Sequence, residues 1–546
     1  MTGSSDLPNP SLIVKKPLLA ARHSALLVAV ALTVLGATLI WWHSPRWWLL
    51  AAPALCATAL GTYDVFQRRH AILRNYPLLG RARFLLERIR PEIQQYFIER
   101  DFDGRPYDRD VRDAVYQRAK GLEAKLAFGT DRDVYGDGHE FLVPSMAPRK
   151  VSATPPTVRV GGPHCPQPYD MPLLNISAMS FGSLSSNAVL ALNKGARRGG
   201  FAHDTGEGGI SEYHLRHGGD LIWEIGTGYF GCRTPEGDFD PVAFAANAAL
   251  PSVKAVLLKL SQGAKPGIGG MLPGSKVDAE IAGIRGVRQG RTVLSPPHHR
   301  QCSTPRALVR FVARLRELAD GKPVGIKFCV GDRVQVLALC KAMLAEGVSP
   351  DFIVVDGAEG GTGAAPLEFA DHVGMPLTEG LMTVHNALVG VGLRDWVRVG
   401  ASGKIATGAD IVRRLAQGAD FTNAARSMMF ALGCIQAQAC HTNACPVGVA
   451  TQDPRRTRAL DVDDKAERVR RYQAATVHSA QQLIASMGLT DPWQLRPRML
   501  HRRVGPGGEI RSYAELYEWL EDKQLLNGPP WSWQADWDAA NPDLFT

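Results

Sequence analysis

The 546-residue sequence has no internal repeat at a period of 20 to 50 residues, which excludes solenoids and propellers. It has no face on which basic residues interleave with aromatics, so its net charge of +9 does not describe a nucleic-acid surface. It has no secreted disulfide framework either: the nine cysteines are odd in number and most fall inside predicted strands and helices, which suits a reducing compartment. Low complexity is also absent, because the 55 glycines gather in short turns such as "TGEGG" and "EGGTGAAP" between apolar segments.

Two long apolar runs are present. "SALLVAVALTVLGATLIWW", Ser24 to Trp42, carries no charge and has about the length that crosses ~30 Å of hydrocarbon. "HSPR" turns the chain, and "WWLLAAPALCATALGTY", Trp47 to Tyr63, follows. Trp41, Trp42, Trp47 and Trp48 bracket the turn as interfacial aromatics do, and Lys15, Lys16, Arg22, Arg68 and Arg69 flank the pair against Arg46 alone in the turn. The pattern predicts a membrane hairpin with both ends cytoplasmic; the alternative is a hairpin buried in a soluble core. A cleaved signal peptide fits poorly, since the first run is too long and a second follows at once.

From about residue 170, apolar β-rich runs alternate with helical patterns: "PLLNISAM", "DLIWEIG", "AVLLKLS", "TVLSP", "PVGIKFC", "DFIVVDG", "WVRVGAS" and "DFTNAAR". Eight such units in about 260 residues predict an α/β fold, a closed (β/α)8 TIM barrel with its site at the C-terminal ends of the strands. "GTGYFG", Gly226 to Gly231, fits a dinucleotide fingerprint but is followed by turn rather than helix, so it reads as a loop. Gly403 and Lys404 after the seventh run, Thr407 and Gly408 before a helix, and "NAARS" after the eighth form the expected phosphate site, suited to a ligand such as flavin mononucleotide. Lys327 sits inside the apolar run "VGIKF", where an ammonium needs an anion nearby or must reach the rim. Near a flavin it would stabilise the charge that reduction places on the pyrimidine ring.

"GCIQAQACHTNACPVGVATQ" holds Cys434, Cys440 and Cys445 in the spacing C-x5-C-x4-C. With His441 these have the atoms of a zinc site, although His441 adjoins Cys440 and zinc knuckles use closer cysteine pairs.

Taken with "ISAMSFGSLSSNAVLALNKGA", "TGEGG", "KLSQGAKPGIGGMLPGSKV", "SPPHH" and "DGAEGGTGAAP", that loop resembles the FMN-binding synthase domain of glutamate synthase from about 165 to 455, in motif order and spacing. The resemblance implies a barrel carrying FMN and a [3Fe-4S] cluster, the latter on Cys434, Cys440 and Cys445. It places Met179, Ser180, Phe181 and Gly182 along the isoalloxazine and Lys327 at its N1/O2 edge. It puts Gly361, Thr362 and Gly363 near the ring or ribityl chain, and Gly403, Lys404, Ala424 and Ala425 near the phosphate. On the substrate side it assigns a 2-oxo acid to Lys259, Lys265 and Arg285, and ammonia handling to Glu207. Two positions depart from the family pattern: its glutamine is Met271 here, and the glutamate of its "PGEGG" is Ile268.

The chain begins "MTGSSDL", without the N-terminal cysteine nucleophile of the glutaminase domain in full glutamate synthases, and shows no credible NADPH-binding domain. The resemblance therefore implies ammonia or an amine as nitrogen source, or a separate amidotransferase subunit. It also implies an electron donor that is ferredoxin-like or membrane-borne. The reaction implied is reductive amination of a 2-oxo acid; the alternatives are an N-methylglutamate-synthase-like subunit and a non-catalytic electron-transfer module. The expected organisation is a cytoplasmic tail (1–23), a transmembrane hairpin (24–66), a helical connector (67–150), the barrel with its cysteine loop (151–455) and a C-terminal helical extension (456–546). This predicts a multi-pass inner-membrane protein in contact with lipid, its catalytic domain cytoplasmic.

Overall fold

The computed structural model describes residues 22–163, 165–505 and 507–545. The chain forms two compact units, one ending at Gly104 and one beginning at Arg105. Most of the expected tail over 1–23, with Lys15 and Lys16, lies outside the described residues.

In the first unit the apolar runs form two helices, Ser24–Trp42 and Trp48–Phe66, joined by the turn Pro45–Trp47. Thr33 and Thr58 hydroxyls meet between them at 3.0 Å. Much of the remaining apolar surface is exposed, including Leu27, Val34, Trp41, Trp42, Trp48 and Leu55. Asp64, at the end of the second helix, is buried and accepts hydrogen bonds from Arg81 Nε (2.9 Å), Arg81 Nη2 (2.6 Å) and the Leu78 amide (3.1 Å). That network fastens the hairpin to the helix Leu79–Ile93, past the short helix Ala71–Asn75.

The second unit is built on a closed barrel of eight parallel strands. They are β1 (Leu174–Ile176), β2 (His203–Asp204), β3 (Leu221–Ile225), β4 (Val253–Lys259), β5 (Val324–Phe328), β6 (Phe352–Asp356), β7 (Arg398–Ser402) and β8 (Phe421–Ala424). The barrel is the expected one, with one strand reassigned. "TVLSP" is not a barrel strand: Val293–Leu294 pairs antiparallel with Met271–Leu272 in an excursion between β4 and β5. The missing strand is β2, whose two residues, His and Asp, are too few and too polar to register as an apolar run.

Alternation along the strands separates two cores. One set of side chains faces the surrounding helices. The other, including Ile222, Ala255, Leu257, Phe352, Val354 and Phe421, packs inside the barrel against Val158, Val160 and Met171. Those last three come from a hairpin, Thr157–Val160 with Tyr169–Pro172, which covers the N-terminal end. Gly325 on β5 makes room for this layer, because a Cβ there would lie 2.5 Å from the Phe352 ring. Gly325→Ala is expected to destabilise the fold by about 1–3 kcal/mol through overpacking. An unchanged urea midpoint would mean that the ring has space elsewhere.

The region expected as one connector, 67–150, is divided between the two units. Its helix Arg109–Ala119 packs on the 25-residue helix Val462–Ser486 and on Arg426–Leu432. Its strand Glu140–Leu142 joins Leu500–Val504 and Glu509–Ser512 in a three-stranded antiparallel sheet, so the C-terminal region is not purely helical.

Candidate active site

Toward the C-terminal end of the barrel, the positions that continue the interior set become charged. Lys327 on β5, buried, is ion-paired with the Glu224 carboxylate on β3. Asp204 on β2 lies close by, its carboxyl pushed up by burial and by the Glu224 charge. Although burial opposes its charge, Glu224, Asp204 and Asp356 hold the Lys327 ammonium above its ordinary pKa. The anion that "VGIKF" required is thus Glu224, supplied from the equally apolar "LIWEI". Asp356 completes the layer, accepting from the Ser402 hydroxyl (2.7 Å) and the Gly263 amide (2.7 Å).

The expected substrate residues converge next to it. Lys259, the last residue of β4, sits in register with Lys327. Its Nζ lies 3.2 Å from Glu207 Oε1 and donates to Gln262 Oε1 at 3.1 Å. Glu207 follows β2 in the "TGEGG" turn. Burial pushes its carboxyl up, but Lys259, Arg285 and Lys265 outweigh burial and hold it below the usual range. Lys265 Nζ donates to the Ala364 carbonyl at 2.9 Å, and burial pulls its pKa down to about 8. Arg285, also buried, donates from Nη2 to Ser180 Oγ (3.2 Å) and the Phe181 carbonyl (3.1 Å), with its guanidinium 5.2 Å from the centre of the Phe230 ring. Its Nε is buried without a hydrogen-bond partner, and burial lowers its pKa to about 10. Gly270 leaves the Glu207 carboxylate its place, since a Cβ there would fall 1.9 Å from Oε1. Met271 stands in the two-residue strand of the excursion.

The expected flavin-lining residues form the turn after β1. Met179, Ser180 and Phe181 are buried, and Gly182 has φ 99°, a left-handed conformation suited to glycine. Gly361, Thr362 and Gly363 lie in an exposed loop after β6. Gly403 and Lys404 follow β7, Lys404 with an exposed side chain, while Ala424 ends β8 and Ala425 follows it. At the expected phosphate end one feature differs. The residues that lead into the helix at Gly408 are tied to Asp410, whose Oδ2 accepts from the Ala406 (3.1 Å) and Thr407 (2.9 Å) amides, so those two donors are not open to an anion. Arg426, within "NAARS" but given no role of its own from sequence, donates to the Glu359 carbonyl (2.6 Å) and lies 5.0 Å from the centre of the Tyr107 ring. A buried ammonium facing a polar mouth, walls of small residues and an exposed glycine loop fit a flat anionic cofactor.

Cys434, Cys440 and Cys445 lie in one loop beyond β8. Cys445 is buried and the other two are half-buried. Burial pushes the Cys434 thiol up to about 12, and Cys440 and Cys445 contribute further. The same two effects, burial and then Cys445, raise Cys440. Among the described residues no three His, Cys, Asp or Glu side chains close tightly enough to hold a single metal ion. Three cysteine thiols are the donor type that iron–sulfur clusters take. His441 is exposed. Of the histidines before the helix Pro305–Leu318, His298 is exposed, while His299 is buried with its Nε2 donating to the Lys259 carbonyl at 2.8 Å.

Residues 169–490 match the model of the conserved region in glutamate synthase. The chain is 38% identical over 485 residues to "glutamate synthase large subunit-like protein YerD" of Bacillus subtilis, covering 81% of this chain and 92% of that protein. It is 34% identical over 375 residues to "archaeal-type glutamate synthase [NADPH]" of Thermotoga neapolitana, covering 68% of this chain and 66% of that one. It is 34% identical over 328 residues to "archaeal glutamate synthase [NADPH]" of Methanocaldococcus jannaschii, where it spans 60% of this chain and 61% of the relative. With the barrel and its charged mouth in place, the match over 169–490 shows that the chain belongs to the glutamate synthase family.

Proposed function

We propose that the chain reductively aminates a 2-oxo acid, 2-oxoglutarate or an analogue, with ammonia or an amine, using FMN and a [3Fe-4S] cluster. The observation that carries this reading is the convergence of Lys259, Lys265 and Arg285 on the anionic Glu207. Met179, Ser180, Phe181, Gly182, Lys327, Gly361, Thr362, Gly363, Gly403, Lys404, Ala424 and Ala425 would hold the flavin, and Cys434, Cys440 and Cys445 the cluster. When bound, these groups supply hydride and single-electron transfer respectively.

The remaining steps fall to the chain's own side chains. Lys259, Lys265 and Arg285 hold the carboxylates of the 2-oxo acid, the Nε of Arg285 being buried with its hydrogen bond still to give. Glu207, held ionised, accepts a proton from ammonium and leaves a nucleophilic amine beside the carbonyl carbon. Lys327 keeps a fixed positive charge in the mouth. Electrons would come from a ferredoxin-like or membrane donor. Nitrogen would come from solution or from a separate amidotransferase subunit.

Anaerobic titration of reduced protein with 2-oxoglutarate and ammonium tests this: flavin reoxidation should require both. No reoxidation would favour an electron-transfer module instead, a reading that the apolar Met271 and Ile268 support. Affinity for 2-oxoglutarate should also depend on pH. Lys265 is cationic below about 8 and loses its proton above it, so binding should hold steady at lower pH and weaken as pH rises through about 8. Calorimetry across that window checks this, and Lys265→Arg should remove the break.

The exposed apolar hairpin supports an inner-membrane location with the barrel in the cytoplasm. Arg68 and Arg69 at its base, against Arg46 in its turn, favour the same orientation. Carbonate-washed membranes should retain the chain, whereas release into the supernatant would exclude the anchor.

A further inference from the structure

Lys276 lies in the excursion, in the turn Gly274–Lys276, and is buried at 2% exposure. Its Nζ donates to the Ser183 carbonyl at 2.8 Å, in the loop after β1. Among the described residues no carboxylate forms an ion pair with it. A buried ammonium without a counter-charge is costly. The groups that favour its charge are Cys440 and Cys445, against the burial that pulls it down to about 8. The cysteine loop is fastened to the same place: Asn443, between those two cysteines, donates to the Ser275 carbonyl at 3.0 Å. Gln452, just past them, donates to the Gly182 (3.0 Å) and Leu184 (2.8 Å) carbonyls. Lys276 therefore stands between Cys440 and Cys445 and the loop that lines the proposed flavin site.

We propose that Lys276 is the counter-ion of the anionic group on Cys434, Cys440 and Cys445 and sets that group's reduction potential. The inference rests on the cluster reading. Three thiolates give an iron–sulfur cluster a net negative charge, which grows when one electron is taken from the donor. A buried cation beside it stabilises the reduced form more than the oxidised one and so raises the potential. Lys276 is in this sense a positioning residue that acts through the cluster.

The test is a dithionite titration of the full, detergent-solubilised protein after anaerobic reconstitution, with the cluster followed by electron paramagnetic resonance and iron counted per chain. Lys276→Met should keep its iron and shift the midpoint negative, with about a tenfold loss in the equilibrium constant for reduction, or about 59 mV for one electron. Lys276→Arg should stay near the unsubstituted protein. An unchanged midpoint in Lys276→Met overturns the inference and leaves the cluster reading intact. If Lys276→Met loses its iron, retention of iron and potential in Lys276→Arg upholds the role of charge, and loss there too overturns it. Reconstituted unsubstituted protein without iron would overturn both.

Discussion

Lys327→Met is expected to give a protein that retains no flavin and is less stable by about 3–5 kcal/mol, the usual cost of removing one partner from a buried ion pair. The cause is the charge left behind rather than the lost contact. Glu224 is buried on β3 with Lys327 as its ion-pair partner, and Asp204, already pushed toward its neutral form, lies alongside. The double variant Lys327→Met with Glu224→Gln should regain most of the stability, because neither site then carries an unpaired charge. It should still lack flavin, because the fixed cation is gone. Urea unfolding of the solubilised chain and the flavin absorbance after purification separate the two effects. A single variant that unfolds at the normal urea concentration would show that Glu224 finds another partner.

Glu207→Gln should slow amine incorporation by about 10²–10⁴-fold, the range for a positioned acid–base group. It should also tighten binding of 2-oxoglutarate. The two effects run in opposite directions because Glu207 competes with the substrate for the same cations: Lys259 is 3.2 Å away, and Arg285 and Lys265 both act on its charge. An amide keeps the shape beside Gly270 and can still accept from Lys259. Flavin reoxidation at saturating ammonium measures the rate, and calorimetry measures the affinity. Parallel losses of rate, affinity and stability would identify Glu207 as a brace for its turn instead.

Seven of the eight barrel strands were legible because each lies in a short β-prone run with apolar residues, bounded by turn or helix signals. β2 escaped because His203 and Asp204 take their burial from neighbours rather than from their own hydrophobicity. Val293–Leu294 misled for the converse reason: it is β-prone, yet Leu294 is exposed on the excursion. In the site, Lys327 announced itself as a charge in an apolar run. The same argument applied to "LIWEI" would have found Glu224. Asp410 is a local signal as well, three residues after Thr407, where a capping acid stands. The tie from Arg426 to the Glu359 carbonyl and the Tyr107 ring was not legible. It joins segments far apart in the chain through a backbone group and an aromatic face, neither of which leaves a pattern in sequence.

The stretch between β4 and β5 separates two kinds of choice. Lys265, Lys276 and Arg285, with Met271 and Ile268, all ride on this one insertion, whereas Lys327, Glu224 and Asp204 belong to the staves themselves. A lineage could therefore exchange the acid it accepts by rewriting a single contiguous segment while the electron-handling frame stayed fixed. With Lys276 as the proposed counter-ion, the same rewriting would also change the charge beside the cysteine loop, so new substrates and new driving force would be inherited together.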